Sequence, residues 1–319
     1  MRVALAGVGH WHAAMHLDAI RAAGAAPGPV WDRDPAIATG FAARSGCPQA
    51  ATLEALLATR PDLVVVMGHP ADVPDMARAC LVAGLPMILE KPAAPSTAAL
   101  AAIAPDKNAF VAVPLANRCA PLWAELDRLR AEGRAGRLAH ASFRIINGPP
   151  ERYRIDGVPW LLDPAISDGG ALRNLGLHAA DAALSLFGAM PNVAGAVLSN
   201  RTHGEKVEDH AVALLTLSQG PSIMIEAGYT FASMAPGGDF EWRIATARAT
   251  LIDRGDTATV TTRDDATTRP LPLLPAATRY RAFMADTIQR LREGRPPLVG
   301  FTDYVAAMTL VDRITEAAR

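Results

Sequence analysis

Two residues stand out for the chemistry they could do: Lys91, an amine, and His178, an imidazole. Lys91 lies in "PMILEKPAAPS", where an apolar run that reads as a buried strand stops on Glu90, Lys91 and Pro92. His178 lies in "SDGGALRNLGLHAADAALSLFG", where Asn174, His178 and Asp181 fall at i, i+4 and i+7 on one helix face among Ala and Leu. A polar stripe holding one His on an otherwise apolar helix faces either a partner's polar group or a ligand. Taken singly, a charge pair at a strand end reads as a solvated rim, and a lone helical His as a core or surface residue. Asp168, ahead of the glycines, is expected to cap the helix.

A second group suits a dinucleotide. In "ALAGVGHWHAAM", Gly7 and Gly9 sit between an apolar run and a helical pattern. The first permits a tight turn, and the second lets a pyrophosphate approach the N–H groups of a helix start. His12 stands where a third small residue is expected, so the fingerprint is incomplete. Asp32 in "PVWDRDP" closes the second run, where a carboxylate can accept from the ribose hydroxyls of NAD. Arg33 beside it could hold a 2′-phosphate, so NAD is expected and NADP stays open. The expected cofactor-binding set is Gly7, Gly9, His10, Trp11, His12, Asp32, Arg33, His69, Pro70, Glu90, Lys91 and Asn117. His10, His12 and His16 resemble a metal cluster, but two of the three occupy the phosphate turn, and no metal is expected.

These residues need a sheet to gather them. Up to about Asn117, runs that are apolar throughout ("RVALAGVG", "PVWD", "DLVVVMG", "PMILEKP", "AFVAVPLAN") alternate with helical patterns, as in a doubly wound parallel α/β sheet. Ligands then bind beyond the carboxyl ends of the strands. Counting strands makes "PMILEKP" the fifth and puts Asn117 at the end of the sixth. From about Ala139 the pattern alternates ("ASFRII", "AVALLTLS", "SIMIEAGYT", "FEWRIAT", "ATLID", "TATVTT"), which predicts an α+β domain with a mostly antiparallel sheet. The expected domains are 1–117 for the dinucleotide and 118–319 for substrate and oligomer contacts, at a length of 319 residues that favours two cores.

Half the residues are hydrophobic and the formal net charge is −1, with no basic block, which argues against nucleic acid or an anionic membrane as partner. Cys47, Cys80 and Cys119 are widely spaced and read as core thiols of a reducing compartment. The first apolar run is too short for a secretory leader and no run is long enough for a membrane span, so a cytoplasmic location is expected.

Together, Gly7-x-Gly9, "EKP" at 90 to 92, "WLLDPAISDGGALRNLGLHAAD" at 160 to 181 and "REGRPPLVGFTDYVAAMTLVDRI" at 292 to 314 resemble the glucose–fructose oxidoreductase, inositol dehydrogenase and rhizopine catabolism family. The resemblance runs in order along essentially the whole chain. It implies a Rossmann domain, an open-faced sheet used for dimer or tetramer contacts, Lys91 at the nicotinamide and substrate hydroxyl, and His178 as proton acceptor. It also implies Asp where this chain has Asn174, and an amide can orient a substrate or ring but supplies no charge. Asn117 is a plausible contact for the nicotinamide amide. Arg118, Arg152, Tyr153, Arg154 and Trp160 are candidates for sugar or polyol contacts, with Asn174 and His178. The expected activity is NAD(P)-dependent oxidation or reduction of a sugar, polyol or related compound. Rival readings are a sensor that does not turn over, an enzyme that recycles bound NAD within one cycle, and reduction of an imine or non-sugar carbonyl.

Overall fold

The computed structural model describes residues 1–217, 220–235, 237–265 and 267–319. It divides into two compact units. One comprises Met1–Ala116, Ala165–Ser167 and Tyr280–Val305; the other comprises Asn117–Pro164, Asp168–Arg279 and Ala306–Arg319.

The first unit is built on five parallel strands, β1 (Arg2–Ala6), β2 (Ala26–Trp31), β3 (Leu63–Val66), β4 (Met87–Leu89) and β5 (Val111–Ala112), in the order β2-β1-β3-β4-β5. All residues of β3 and β4 are buried, as expected of parallel strands covered on both faces. Helices Ala13–Ala22 and Val73–Val82 lie between successive strands of the sheet, as the alternation of apolar runs with helical patterns predicts. One count changes. The "PMIL" run is the fourth strand and not the fifth, since β1, β2 and β3 precede it. Asn117 correspondingly follows the fifth strand, within the short turn Ala116–Cys119.

Among the described residues the second unit carries eight strands: β6 (Leu138–Asn147), β7 (Asn192–Ser199), β8 (His210–Thr216), β9 (Ser222–Gly228), β10 (Gly238–Thr246), β11 (Ala249–Asp253), β12 (Ala258–Thr262) and β13 (Arg269–Pro270). Their order is β13-β12-β11-β10-β6-β9-β8-β7, with every pair antiparallel except β6 with β9. Ser218, at the end of the run that predicts β8, lies outside the described residues. The alternation is explicit: Ala211, Ala213 and Leu215 of β8 and Ile223, Ile225 and Ala227 of β9 are buried, whereas Leu214 and Met224 between them are exposed. One face of this sheet is therefore core and the other is open in the chain.

Beneath the core face lies one buried ion pair. Arg279 donates from Nη2 to Asp253 Oδ2 at 2.6 Å and from Nη1 to Asn117 Oδ1 at 2.8 Å, with its guanidinium 4.8 Å from the centre of the Phe240 ring. Among the described residues, no helix is long and apolar enough to cross a membrane. Removing one partner of a buried pair strands the other charge. Asp253→Ala is expected to cost about 3 to 5 kcal/mol, read as a lower urea midpoint, and Asp253→Leu with Arg279→Met should recover most of it.

Candidate functional site

In the first unit the chemistry lies beyond the carboxyl ends of the strands. Gly7 follows β1, Asp32 follows β2, Gly68 and His69 follow β3, and Glu90 and Lys91 follow β4. The strand order reverses on either side of β1, the position where open α/β sheets form a ligand crevice. Gly7 has φ +85° and lies so close to the neighbouring strand end that a Cβ would sit 1.7 Å from the Met67 carbonyl oxygen. The Gly9 N–H donates to Asp32 Oδ2 at 2.7 Å, and the Asp34 N–H to Asp32 Oδ1 at 3.0 Å. Asp32 is thus fixed against the glycine turn. Arg33 is paired with Asp72, and His69 Nδ1 accepts from the Ala71 N–H at 3.3 Å.

The turn's aromatic side chains are packed together. His10 stacks on Trp11 with ring centres 3.8 Å apart, and Lys91 Nζ lies 5.9 Å from the Trp11 ring centre. His10 is 5% exposed, its Nδ1 accepts the His12 N–H at 3.1 Å, and its buried Nε2 meets no hydrogen-bond partner among the described residues. These features fit a dinucleotide. The glycine turn leaves room for backbone approach, Asp32 offers ribose acceptors, and a buried donor at His10 awaits an oxygen.

Glu90 is the acidic partner that the sequence spacing hides. Its buried carboxylate is 2.6 Å from His16 Nε2, 3.5 Å from His12 Nδ1 and 3.2 Å from the Tyr280 hydroxyl, and it accepts the Lys91 N–H at 2.9 Å. Tyr280 also lies 2.9 Å from His12 Nδ1. No three His, Cys, Asp or Glu side chains among the described residues converge as a metal ion requires. Burial alone would raise the Glu90 carboxyl, but the charges and hydrogen bonds of His12 and His16 hold it well below the usual carboxylate range. Burial lowers His10 well below 6.5, helped by His12, and lowers His12 as well, against the pull of Glu90. Burial also lowers Lys91, with Glu90 opposing.

In the second unit His178 is half-buried near the start of helix Leu177–Phe187. The turn before it, Leu172–Gly176, is π-helical and carries Asn174, whose Nδ2 donates to the Tyr229 hydroxyl at 3.1 Å. Such local π turns recur at functional sites. Asp168 does not cap this segment. Glu208 does, accepting the N–H groups of Gly170 and Leu172 at 2.8 and 3.1 Å, while Asp168 pairs with Arg173 at 2.9 Å. The cap works by close approach, since a Cβ on Gly170 would lie 2.1 Å from the Glu208 carbonyl oxygen.

Arg118 pairs with Asp181 at 3.4 Å and packs over Trp123, so its charge is already matched. Asn117 spends its side-chain oxygen on Arg279. Arg154 is held by Glu205 at 2.8 Å and Arg152 by Asp156 at 3.9 Å. Tyr153 is buried, 4.6 Å from Tyr229 between ring centres, and Trp160 is half-buried in the turn Pro159–Leu162. The structure thus brings Gly7, Gly9, His10, Trp11, His12, Asp32, Glu90 and Lys91 together in the first unit, and Asn174, His178 and Arg118 belong to the second. Sequence reasoning missed Tyr280, Tyr229 and Glu208, each brought in by the fold from distant sequence.

Two family models match the chain: "Oxidoreductase family, NAD-binding Rossmann fold" over residues 1–113 and "GFO/IDH/MocA C-terminal domain" over residues 123–252. The chain belongs to the GFO/IDH/MocA family of oxidoreductases, and its first unit is an NAD-binding Rossmann domain. No curated protein matches it. Among solved structures, a levoglucosan dehydrogenase in complex with NADH and levoglucosan is 20% identical, with a TM-score of 0.85, over 100% of this chain and 97% of that one. An oxidoreductase from Agrobacterium radiobacter in complex with NAD+, L-tartaric acid and magnesium is 19% identical, with a TM-score of 0.84, over 100% and 96%. A UDP-N-acetylglucosamine 3-dehydrogenase from Acidithiobacillus ferrooxidans is 21% identical, with a TM-score of 0.80, over 99% and 97%.

The titrations have one sign. His10 and His12 are held below 6.5 and Glu90 below 4.5 in the fold, so the unfolded chain binds the extra protons as pH falls. The urea midpoint should therefore drop as pH falls below about 6.5 and further below about 4.5, and His10→Asn should flatten the first step.

Proposed function

We propose that this protein oxidises a hydroxyl of a sugar, polyol or related compound with NAD, and reduces the corresponding carbonyl in the reverse direction. The observation that carries the reading is the Asp32 carboxylate bonded to the Gly9 N–H at the same sheet edge as the buried Glu90 and Lys91. The sugar substrate is supported by the levoglucosan and UDP-N-acetylglucosamine dehydrogenases among the similar structures. Asp32 favours a free ribose 2′-hydroxyl over a 2′-phosphate, and Arg33 is occupied by Asp72.

Bound NAD supplies the hydride acceptor. In this reading the imidazole of His178 takes the proton of the substrate hydroxyl, and the ammonium of Lys91 bonds the same oxygen as negative charge develops on it. Gly7, Gly9 and His10 hold the pyrophosphate region, and Asp32 holds the ribose. Asn174 is a neutral orienting group, fixed by Tyr229. Trp160 and Arg118 are proposed to line the substrate side, and the open face of the β6 to β13 sheet is proposed to make a homodimer or homotetramer in the cytoplasm.

The test is near-UV absorbance of reduced nicotinamide with NAD or NADP and a panel of inositols, aldoses, ketoses, glycosides and nucleotide sugars. Wild type should reduce NAD with at least one of them. Lys91→Ala and His178→Ala should each lower kcat by about 100-fold or more, with NADH affinity nearly unchanged for His178→Ala. Asp32→Ala should weaken NAD use by about 10-fold and raise the NADP-to-NAD ratio. Turnover by wild type that survives both Lys91→Ala and His178→Ala would overturn the reading.

A further inference from the structure

The protons around Glu90 can be counted. His16 Nε2 lies 2.6 Å from Glu90 Oε2, a contact that requires a proton between them, and with Glu90 ionised that proton belongs to His16 Nε2. The Tyr280 hydroxyl lies 2.9 Å from His12 Nδ1 and 3.2 Å from Glu90 Oε2, but it has one proton to give. Turned toward His12, it would leave its own oxygen facing a buried carboxylate oxygen with no proton between. Turned toward Glu90, it offers a lone pair to a His12 Nδ1–H. The chain therefore runs from His12 Nδ1–H to Tyr280 O–H to Glu90. The Lys91 N–H at 2.9 Å fills Glu90 Oε1. With Glu90 ionised, His16 Nε2–H, the Tyr280 hydroxyl and the Lys91 N–H all donate to it.

We propose that Tyr280 and His16 are positioning residues that hold the Glu90 carboxylate against the backbone N–H of Lys91, and so fix the turn from which the Lys91 side chain departs. Tyr280 reaches this site from a helix, Ala276–Arg292, that lies 190 residues further along the chain than Glu90. Its neighbour Arg281 secures the approach by donating to Asp18 at 2.6 Å on the helix that carries His16. The ring itself packs edge-on against His12 and His16 at 5.2 and 5.1 Å. Tyr280→Phe keeps those contacts and removes only the hydroxyl, so it separates hydrogen bonding from packing. The role in turnover rests on the dehydrogenase reading; the proton arrangement does not.

The experiment uses the full chain as wild type, Tyr280→Phe, Glu90→Gln and the double variant, with kcat, KM for NAD and NADH affinity measured for each. Tyr280→Phe is expected to lower kcat by about 10-fold while NADH affinity stays within about 3-fold, and in the Glu90→Gln background it should cost less than about 2-fold. An equal cost in both backgrounds, or no change in kcat, overturns the proposal. Long-range 15N spectra of the eight histidines decide the proton chain independently of activity. The expected pattern is His12 protonated on Nδ1 and His16 on Nε2, with both signals displaced by Tyr280→Phe. His12 protonated on Nε2 alone, or no displacement, contradicts it. If wild type turns over no substrate while the histidine pattern holds, the dehydrogenase reading fails and the clamp stands.

Discussion

A carboxylate taken out of water must be met by donors on both oxygens, and the first unit is arranged around meeting that requirement at Glu90. Three stretches contribute: the helix Ala13–Ala22 through His16, the turn after β4 through the Lys91 N–H, and the helix Ala276–Arg292 through Tyr280. Burying an ion without partners costs several kcal/mol, so these donors are conditions of the fold as well as of the site. The same constraint explains why "MIL" ends on a charge pair. Glu90 is the anion of a buried cluster, and Lys91, lowered by burial and raised by Glu90, is the cation beside it.

The glycine turn and the Glu90 cluster share residues. His12 helps support Glu90 through Tyr280, and its N–H fixes the ring of His10, which stacks on Trp11 near Lys91. A side chain that holds the glycine turn therefore also bears on Lys91. In the second unit the corresponding device is Glu208, which caps the segment leading to Asn174 and His178. Asn174 suits this chain because its amide donates to the buried Tyr229 hydroxyl. A carboxylate there would be a further buried charge, and the amide satisfies the hydroxyl without one.

The strands of both sheets were legible because their patterns are set by burial: apolar throughout in β3 and β4, alternating in β8 and β9. The glycine turn, Asp32 and the "EKP" pair were legible because each must follow a strand. The supports were not legible. His12 and His16 show their helical spacing, but their partner Glu90 lies 74 residues beyond His16, and Tyr280 enters from farther still. Asp168 has the right chemistry for a cap, yet Glu208 takes that place, because a loop distant in sequence comes close enough to touch Gly170. Periodicity records which face is buried, and it does not record which distant polar group meets it.

The most direct test of the account is where hydrogen goes. The protein would be incubated with NAD and a mixture of sugars and polyols deuterated on carbon, and the nicotinamide examined by mass spectrometry and NMR. Deuterium at C4 of the reduced ring, absent with Lys91→Ala, is the predicted result and establishes hydride transfer from a carbon-bound position. Reduced nicotinamide without deuterium, or none formed although the dinucleotide binds, would contradict the dehydrogenase account.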